Sequence, residues 1–190
     1  MLEVRKTELE GVLELIPSRF GDDRGFFSET YNASRLAEHG VNVNFVQDNH
    51  SLSRAKGVLR GLHYQLPPFA QDKLVRVTRG RVLDVTVDVR KGSPTYARWV
   101  AVELSAEKWN QLLVPKGFAH AFLTLEPDTE VLYKVSNYYA PECDQSIRFD
   151  DPAIGIVWPG VASDFILSPK DANAPLLADA NNPFVFGEIE

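Results

Sequence analysis

A single cysteine, Cys143, stands in the whole chain. That excludes an intramolecular disulfide and a thiolate metal cluster, and it fits a reducing compartment. No apolar run approaches the length of a membrane-spanning helix. The first residues, Met1-Leu2-Glu3-Val4-Arg5-Lys6, carry charges where a secretory signal needs its apolar stretch, so a cytoplasmic location is expected. Surplus positive charge is lacking too: 20 Lys and Arg stand against 26 Asp and Glu, a formal net charge of −6. That balance argues against broad binding to nucleic acid or an acidic membrane, but a small anionic ligand needs only a few local cations. A phosphate-cradling glycine-rich loop, a GxSxG elbow and a dinucleotide fingerprint are all missing. P-loop nucleotide hydrolysis, the common serine-hydrolase pattern and Rossmann-type hydride transfer therefore drop out. With no internal repeat and no hinge-like linker, one domain over residues 1–190 is expected.

What is present reads as strands. Glycine and proline, 12 of each, punctuate the chain at short intervals. From Leu83 to Val89 apolar residues take every second position, which predicts a strand with one buried and one polar face. Residues 74–77 lead into it through Thr78-Arg79-Gly80-Arg81, a hairpin turn by its composition. Alternation returns over 96–104 and 130–136, while 112–114 and 120–125 read as further strands. Only 32–39, with Asn32 as N-cap and Gly40 beyond, predicts a helix, and 105–110 a single turn. Many short strands with a few short helices imply an all-β sandwich or barrel. The tail over 172–190, rich in Pro, Asn and Ala, is expected to pack on the surface and to be partly loose.

Four histidines occur. His39 reads as a solvated residue at a helix end, and His50, in the polar run Gln47–Ser51, as part of a loop network. His63 in RGLHYQ and His120 in PKGFAH each stand beside a glycine-containing bend at a strand edge. Together they resemble the two signature segments of the cupin jelly roll. A metal-binding cupin carries His-x-His and then Glu in the first segment; here Gln65 and Lys73 stand in that region. An ammonium is no metal ligand, so a cupin without a metal site is expected. Arg24, Arg60, Lys73, Arg76 and Lys116 are each a surface cation or, as a group, a clamp for a diphosphate. Phe26, Phe27, Tyr31, Tyr138 and Tyr139 are core residues or stacking platforms for a base. Asp171 is a turn residue or the partner that fixes a histidine tautomer.

From about Gly11 to Asp171 the chain resembles the dTDP-4-dehydrorhamnose 3,5-epimerase family. The resemblance rests on RGFFSETY, FVQDNHS, GVLRGLHYQ, KLVRVTRGRVLDVTVDVRKGSPTY, PKGFAHAF, YKVSNYYAPE, FDDPAIGIVWP and LSPKD, in that order. It implies a cupin-like jelly-roll homodimer that needs no metal or cofactor. It further implies conversion of dTDP-4-dehydro-6-deoxy-D-glucose to dTDP-4-dehydro-L-rhamnose for surface polysaccharide. Carried over by motif, His63 is the base, Asp171 its partner, Tyr133 the acid and Lys73 a neighbour of the sugar. Arg60, His120, Gln47, Asn49, Asp144 and Lys170 become substrate contacts, and Tyr139 stacks on thymine. Arg24, Phe27 and Glu29 reach the partner subunit's site. The chain departs from the family pattern at Phe149, usually Trp, at Ala121, usually Gly, and at Asp144, usually Glu.

The chemistry suits these residue types. A ketone at carbon 4 acidifies the C–H bonds at carbons 3 and 5. Inversion then needs a base on one face, an acid on the other and a cation at the enolate oxygen. Histidine is mostly neutral at cell pH and tyrosine keeps its proton there. An epimerase of a single carbon, a sugar-nucleotide-binding module without turnover and a metal-dependent cupin oxygenase are the alternatives.

Overall fold

The computed structural model describes residues 1–188. Thirteen strands carry the fold: β1 (Leu2–Lys6), β2 (Leu13–Pro17), β3 (Phe20–Asp22), β4 (Gly25–Phe27), β5 (Gln47–Ser53), β6 (Leu59–Gln65), β7 (Lys73–Arg79), β8 (Arg81–Asp88), β9 (Trp99–Ser105), β10 (Gln111–Val114), β11 (Phe118–Thr124), β12 (Thr129–Val135) and β13 (Asp144–Ser146). Two short helices join them, α1 (Ala33–Ala37) and α2 (Pro169–Ala172). One sheet runs β1-β2-β10-β7-β12-β5 and the other β13-β6-β11-β8-β9, while β3 and β4 form a separate hairpin. The paired strands are antiparallel. This is the expected all-β, cupin-like jelly roll.

Strand periodicity assigns each residue to a layer. Val75, Val77 and Val131 of the six-stranded sheet face Val82, Leu104, Phe118 and Phe122 of the five-stranded one, and these fill the space between the sheets. On the outer side of the five-stranded sheet, Leu62, Tyr64, Val85, Val87, Ala119 and Ala121 are covered by Ile147, Ile154, Leu177 and Phe184. On the outer side of the other sheet, Leu15, Leu74 and Leu113 lie under Leu36 of α1 and Val41.

The alternation over Leu83–Val89 does make a strand, but its polar face is not a solvent face. Asp84, Thr86 and Asp88 are fully buried. They point between the sheets, and their apolar neighbours are roofed by the C-terminal segment. Burial is tolerable because the carboxylates find partners. Asp88 takes both Arg90 Nε (2.9 Å) and Arg90 Nη2 (2.8 Å), with Ser93 and Thr95 hydroxyls at 2.6 Å. The turn at Gly80 forms, but not the expected hairpin: β7 lies in the six-stranded sheet and β8 in the five-stranded one, so the turn carries the chain from one sheet to the other. At φ +73 a Cβ there would stand 2.4 Å from Thr129 Oγ1, so the turn demands glycine.

Asn32 caps α1 by accepting the Arg35 N–H. The stretch 105–110 makes one turn, closed by Trp109 N–H to Ser105 O at 3.0 Å. The polar run Gln47–Ser51 differs from its reading as a loop: it is the edge strand β5, paired to β12 along its whole length. The last helix, α2, was not marked by hydropathy; Ser168 caps it and Pro169 opens it. In the tail, Leu177 and Phe184 are core residues and Val185 bridges Lys91. Residues 189 and 190 of that tail lie outside the described residues. Among the described residues no helix is long and apolar enough to cross a membrane.

Candidate active site

Between the sheets, where the apolar filling stops, lies a cavity of about 500 Å³. Ser51 and Ser53 of β5, Lys73 of β7 and Tyr133 of β12 line it from one sheet; Arg60 and His63 of β6 and His120 and Phe122 of β11 line it from the other. Ile166, Leu167, Ser168 and Asp171 close one side.

A bulge in β6 puts two of these side chains where they are. His63 pairs with His120, yet Arg60 pairs with Phe122, so three steps on β6 oppose two on β11. In an unbroken pleat residues three apart face opposite ways; the extra residue returns Arg60 to the side of His63. Gly61 makes the bulge possible. At φ +124 its Cβ would stand 2.5 Å from both Ala121 Cβ and His120 O.

The structure brings His63 and Asp171 together across 108 residues of chain, with Nε2 2.5 Å from Oδ1. The other oxygen, Oδ2, accepts the Ser168 hydroxyl at 2.8 Å. Burial works to raise the Asp171 pKa, but the His63 and Ser168 hydrogen bonds outweigh it and hold the carboxyl below its ordinary value. With Nε2 as donor to the carboxylate, Nδ1 is left as the basic nitrogen. A second pair sits deeper. His120 Nε2 lies 2.9 Å from each oxygen of Asp84.

Lys73 Nζ lies 3.5 Å from the His63 carbonyl. Burial pulls its pKa down to about 8, against the opposing pull of Asp144 and Asp84. Tyr133 comes from the same sheet as Lys73, across the cavity from His63. Burial raises its pKa, Arg60 lowers it and Asp144 raises it again, with the net shift upward. It therefore holds its proton at neutral pH.

Next to the cavity runs a polar rim. Gln47 Nε2 donates to Asn49 Oδ1 (2.9 Å), and Gln47 Oε1 accepts Tyr139 N–H (3.1 Å). Tyr139 Oη donates to Asp144 Oδ2 at 3.2 Å, and Lys170 Nζ reaches the same oxygen at 2.5 Å. The Tyr139 ring is 57% exposed, open to stacking. Asn49 stands opposite Tyr133 in the β5–β12 pairing, which joins rim to cavity.

Not every expected site residue is here. Arg24 lies in the β3–β4 turn, paired to Asp22 at 2.5 Å. Phe27 is 69% exposed on the same hairpin, and Glu29 pairs with Arg35 at 2.7 Å. Within one chain these three do not line the cavity. Nor do all the cations considered for a diphosphate clamp converge: Arg60 and Lys73 line the cavity, whereas Arg76 packs over Trp109 outside it, 5.5 Å from the ring centroid. Lys116 lines a different groove. Phe26 packs edge-on to Trp109 and Tyr31 to Phe45. Gln65, at a cupin metal-ligand position, is buried and committed to the backbone. Its amide donates to Phe69 O (2.7 Å) and Tyr138 O (3.1 Å) and accepts Ala140 N–H (2.9 Å). Among the departures from the family pattern, Phe149 does not line the cavity itself but sits edge-on to Trp158 and Phe165 in a cluster with Leu59 and Leu167, which do.

Sequence reasoning missed Asp84, Ser51, Ser53 and Ser168. Period two was the available signal for the first three. Gln47, Asn49, Ser51 and Ser53 alternate along β5, and Asp84 alternates along β8. Ser168 carried the N-cap signature ahead of Pro169.

Comparison with known proteins points to one family. The family model described as dTDP-4-dehydrorhamnose 3,5-epimerase matches residues 6–179. The dTDP-4-dehydrorhamnose 3,5-epimerase of Salmonella typhimurium is 54% identical over 181 residues, covering 95% of this chain and 98% of the relative. The crystal structure of the Bacillus anthracis enzyme, with TDP and pyrophosphate bound, superposes with TM-score 0.89 at 48% identity, covering 93% of this chain and 99% of that one. The Legionella pneumophila enzyme in complex with dTDP-4-keto-L-rhamnose gives TM-score 0.89 at 46% identity, covering 94% of each chain. The chain belongs to the dTDP-4-dehydrorhamnose 3,5-epimerase family.

Proposed function

We propose that this protein epimerises dTDP-4-dehydro-6-deoxy-D-glucose at carbons 3 and 5, giving dTDP-4-dehydro-L-rhamnose in the cytoplasm for the synthesis of dTDP-L-rhamnose. The observation that carries this reading is that His63 and Tyr133, from opposite sheets, face one cavity that also holds Lys73. A base and an acid on opposite walls are what inversion of a carbon acid requires.

Nδ1 of His63 takes the proton from carbon 5 or carbon 3, and the C–H electrons pass into the carbon–carbon bond and on to the carbon-4 oxygen. Asp171 balances the imidazolium. Lys73, assisted by Arg60, stabilises the enolate oxygen, so no metal or nicotinamide takes part. Tyr133 then gives its phenol proton to the opposite face of the same carbon. Solvent removes the proton from His63 and restores the one on Tyr133, which resets the site for the second centre. His120 contacts the sugar. The diphosphate and thymidine lie along the rim, with Tyr139 stacked on thymine and Gln47, Asn49, Asp144 and Lys170 around it. The exposed β3–β4 hairpin supports a homodimer in which Arg24, Phe27 and Glu29 enter the partner's site.

The test is proton exchange in heavy water, followed at carbons 3 and 5 by NMR on metal-stripped protein. Deuterium is expected at both positions. Tyr133→Phe is expected to bind the nucleotide normally, to wash in deuterium and to lose inversion by roughly a hundredfold or more. Deuterium at one carbon marks a single-centre epimerase, and no exchange despite tight binding overturns the enzymatic reading.

A further inference from the structure

Asp171 is supplied by the chain segment that crosses the open side of the cavity, and its aim depends on how that segment is fastened. The segment docks first on the strand that carries the base. Ile166 N–H donates to Gly57 O (2.8 Å), Leu59 N–H donates to Ile166 O (3.0 Å), and Val58 and Ile166 form a parallel bridge just before β6. Two residues later Ser168 turns the chain into α2. Its hydroxyl accepts the Asp171 N–H at 3.1 Å and donates to Asp171 Oδ2 at 2.8 Å. The same hydroxyl therefore holds both the backbone and the side chain of Asp171, which is 2% exposed.

We propose that Ser168 is the positioning residue of the base: by occupying Oδ2 it leaves Oδ1 alone to face His63, and so fixes which imidazole nitrogen carries the proton. Oδ1 accepts from Nε2, which directs the lone pair of Nδ1 toward the cavity. Without the hydroxyl the carboxylate is free to turn about its last torsion and swing off Nε2; the Nε2–H then lacks a fixed acceptor, and the ring loses its reason to hold one tautomer. A plain helix cap has a different signature. Its loss lowers stability but leaves the tautomer of a ring on another strand untouched. The proposal rests on His63 being the base for its catalytic consequence, but not for its structural one.

The test uses the full chain with ¹⁵N-labelled histidine. In wild type the His63 ring is expected to show a single Nε2–H tautomer in the neutral form. In Ser168→Ala the two tautomers are expected to mix. Among folded molecules kcat should fall roughly tenfold, as for loss of a hydrogen bond to a charged group, with KM within about twofold. Ser168→Thr, which keeps the hydroxyl, should restore both readouts. A single unchanged tautomer in Ser168→Ala, or Thr failing to restore it, overturns the proposal. If the tautomers mix and Thr restores them while wild type itself exchanges no substrate protons, the positioning role stands and the epimerase reading fails.

Discussion

Two histidine–aspartate pairs lie side by side in this protein, and they are built differently. His120 and Asp84 come from neighbouring strands of one sheet; both carboxylate oxygens lie 2.9 Å from one nitrogen, and the side chains are 9% and 0% exposed. His63 and Asp171 come from a strand and a distant helix; one oxygen is shared with the ring, the other is held by Ser168, and the imidazole stays 30% exposed. The same two residue types thus serve two ends. A pair enclosed by the sheet can offer the sugar a ring contact, but its imidazole sits too deep to take a proton from a substrate carbon. A pair with its carboxylate brought in from outside keeps one imidazole edge open to the cavity, which a base must have.

Removing His63 should break the comparison most sharply. His63→Ala is expected to lose C–H exchange by about a thousandfold, within the range of general acid–base contributions. Its stability should fall as well, by about 1–3 kcal/mol, because the buried Asp171 Oδ1 loses its donor, so exchange is compared per folded molecule. Heavy-water exchange and thermal melts on the same sample check this. Near-normal exchange in the folded variant would remove His63 from the mechanism.

The second pair should lose stability with a smaller loss of chemistry. Asp84→Ala leaves His120 Nε2 buried with no acceptor, at a cost of about 1–3 kcal/mol. A denaturant midpoint that falls with an unchanged slope would show it. Proton exchange per folded molecule should fall less than in His63→Ala. Equal loss of activity in the two variants would mean that both pairs serve the chemistry directly.

The difference between the pairs also explains what the sequence made legible. Strand β8 and the turn at Gly80 were visible because alternation and turn chemistry act locally; the pairing was not, and the expected hairpin is instead a crossing between the two sheets. The interior side of β8 was misjudged: Asp84, Thr86 and Asp88 look like a solvent face to any hydropathy pattern, and only the facing sheet buries them. The same inversion hid β5, whose polar residues face the site and so resembled a loop. Family motifs marked His63 and Asp171, but their contact spans 108 residues and follows from the docking of the segment before α2. The β6 bulge left no mark except Gly61, whose necessity is apparent only beside Ala121. Arg24, Phe27 and Glu29 were grouped with the site by motif; in a single chain they stand on and beside an exposed hairpin.

The smallest expected effect concerns the cation that both pairs flank. Lys73 has Asp144 and Asp84 as its stabilising charges and Lys170 as an opposing one, while burial draws its pKa down to about 8. In the unfolded chain it returns to its ordinary value of 10.5. Between those two values the unfolded state holds more protons, so this group makes stability rise with pH there; below about 8 the full cost of burying the ammonium is present. Lys73→Met should therefore be slightly more stable than wild type at pH 7, and the advantage should shrink as pH climbs from about 8 to 10.5. Turnover should move in the opposite sense. Wild-type activity should decline as pH passes about 8 and the ammonium is lost, and Lys73→Met should be poorly active throughout. Lys73→Arg, which keeps its charge, should lack that alkaline decline even with a lower rate. Melting curves and pH–rate profiles for the three proteins decide it. A Met variant that is less stable at pH 7, or an alkaline limb common to wild type and Arg, would show that Lys73 is held by its anions strongly enough to stay charged, and that the enolate is stabilised elsewhere.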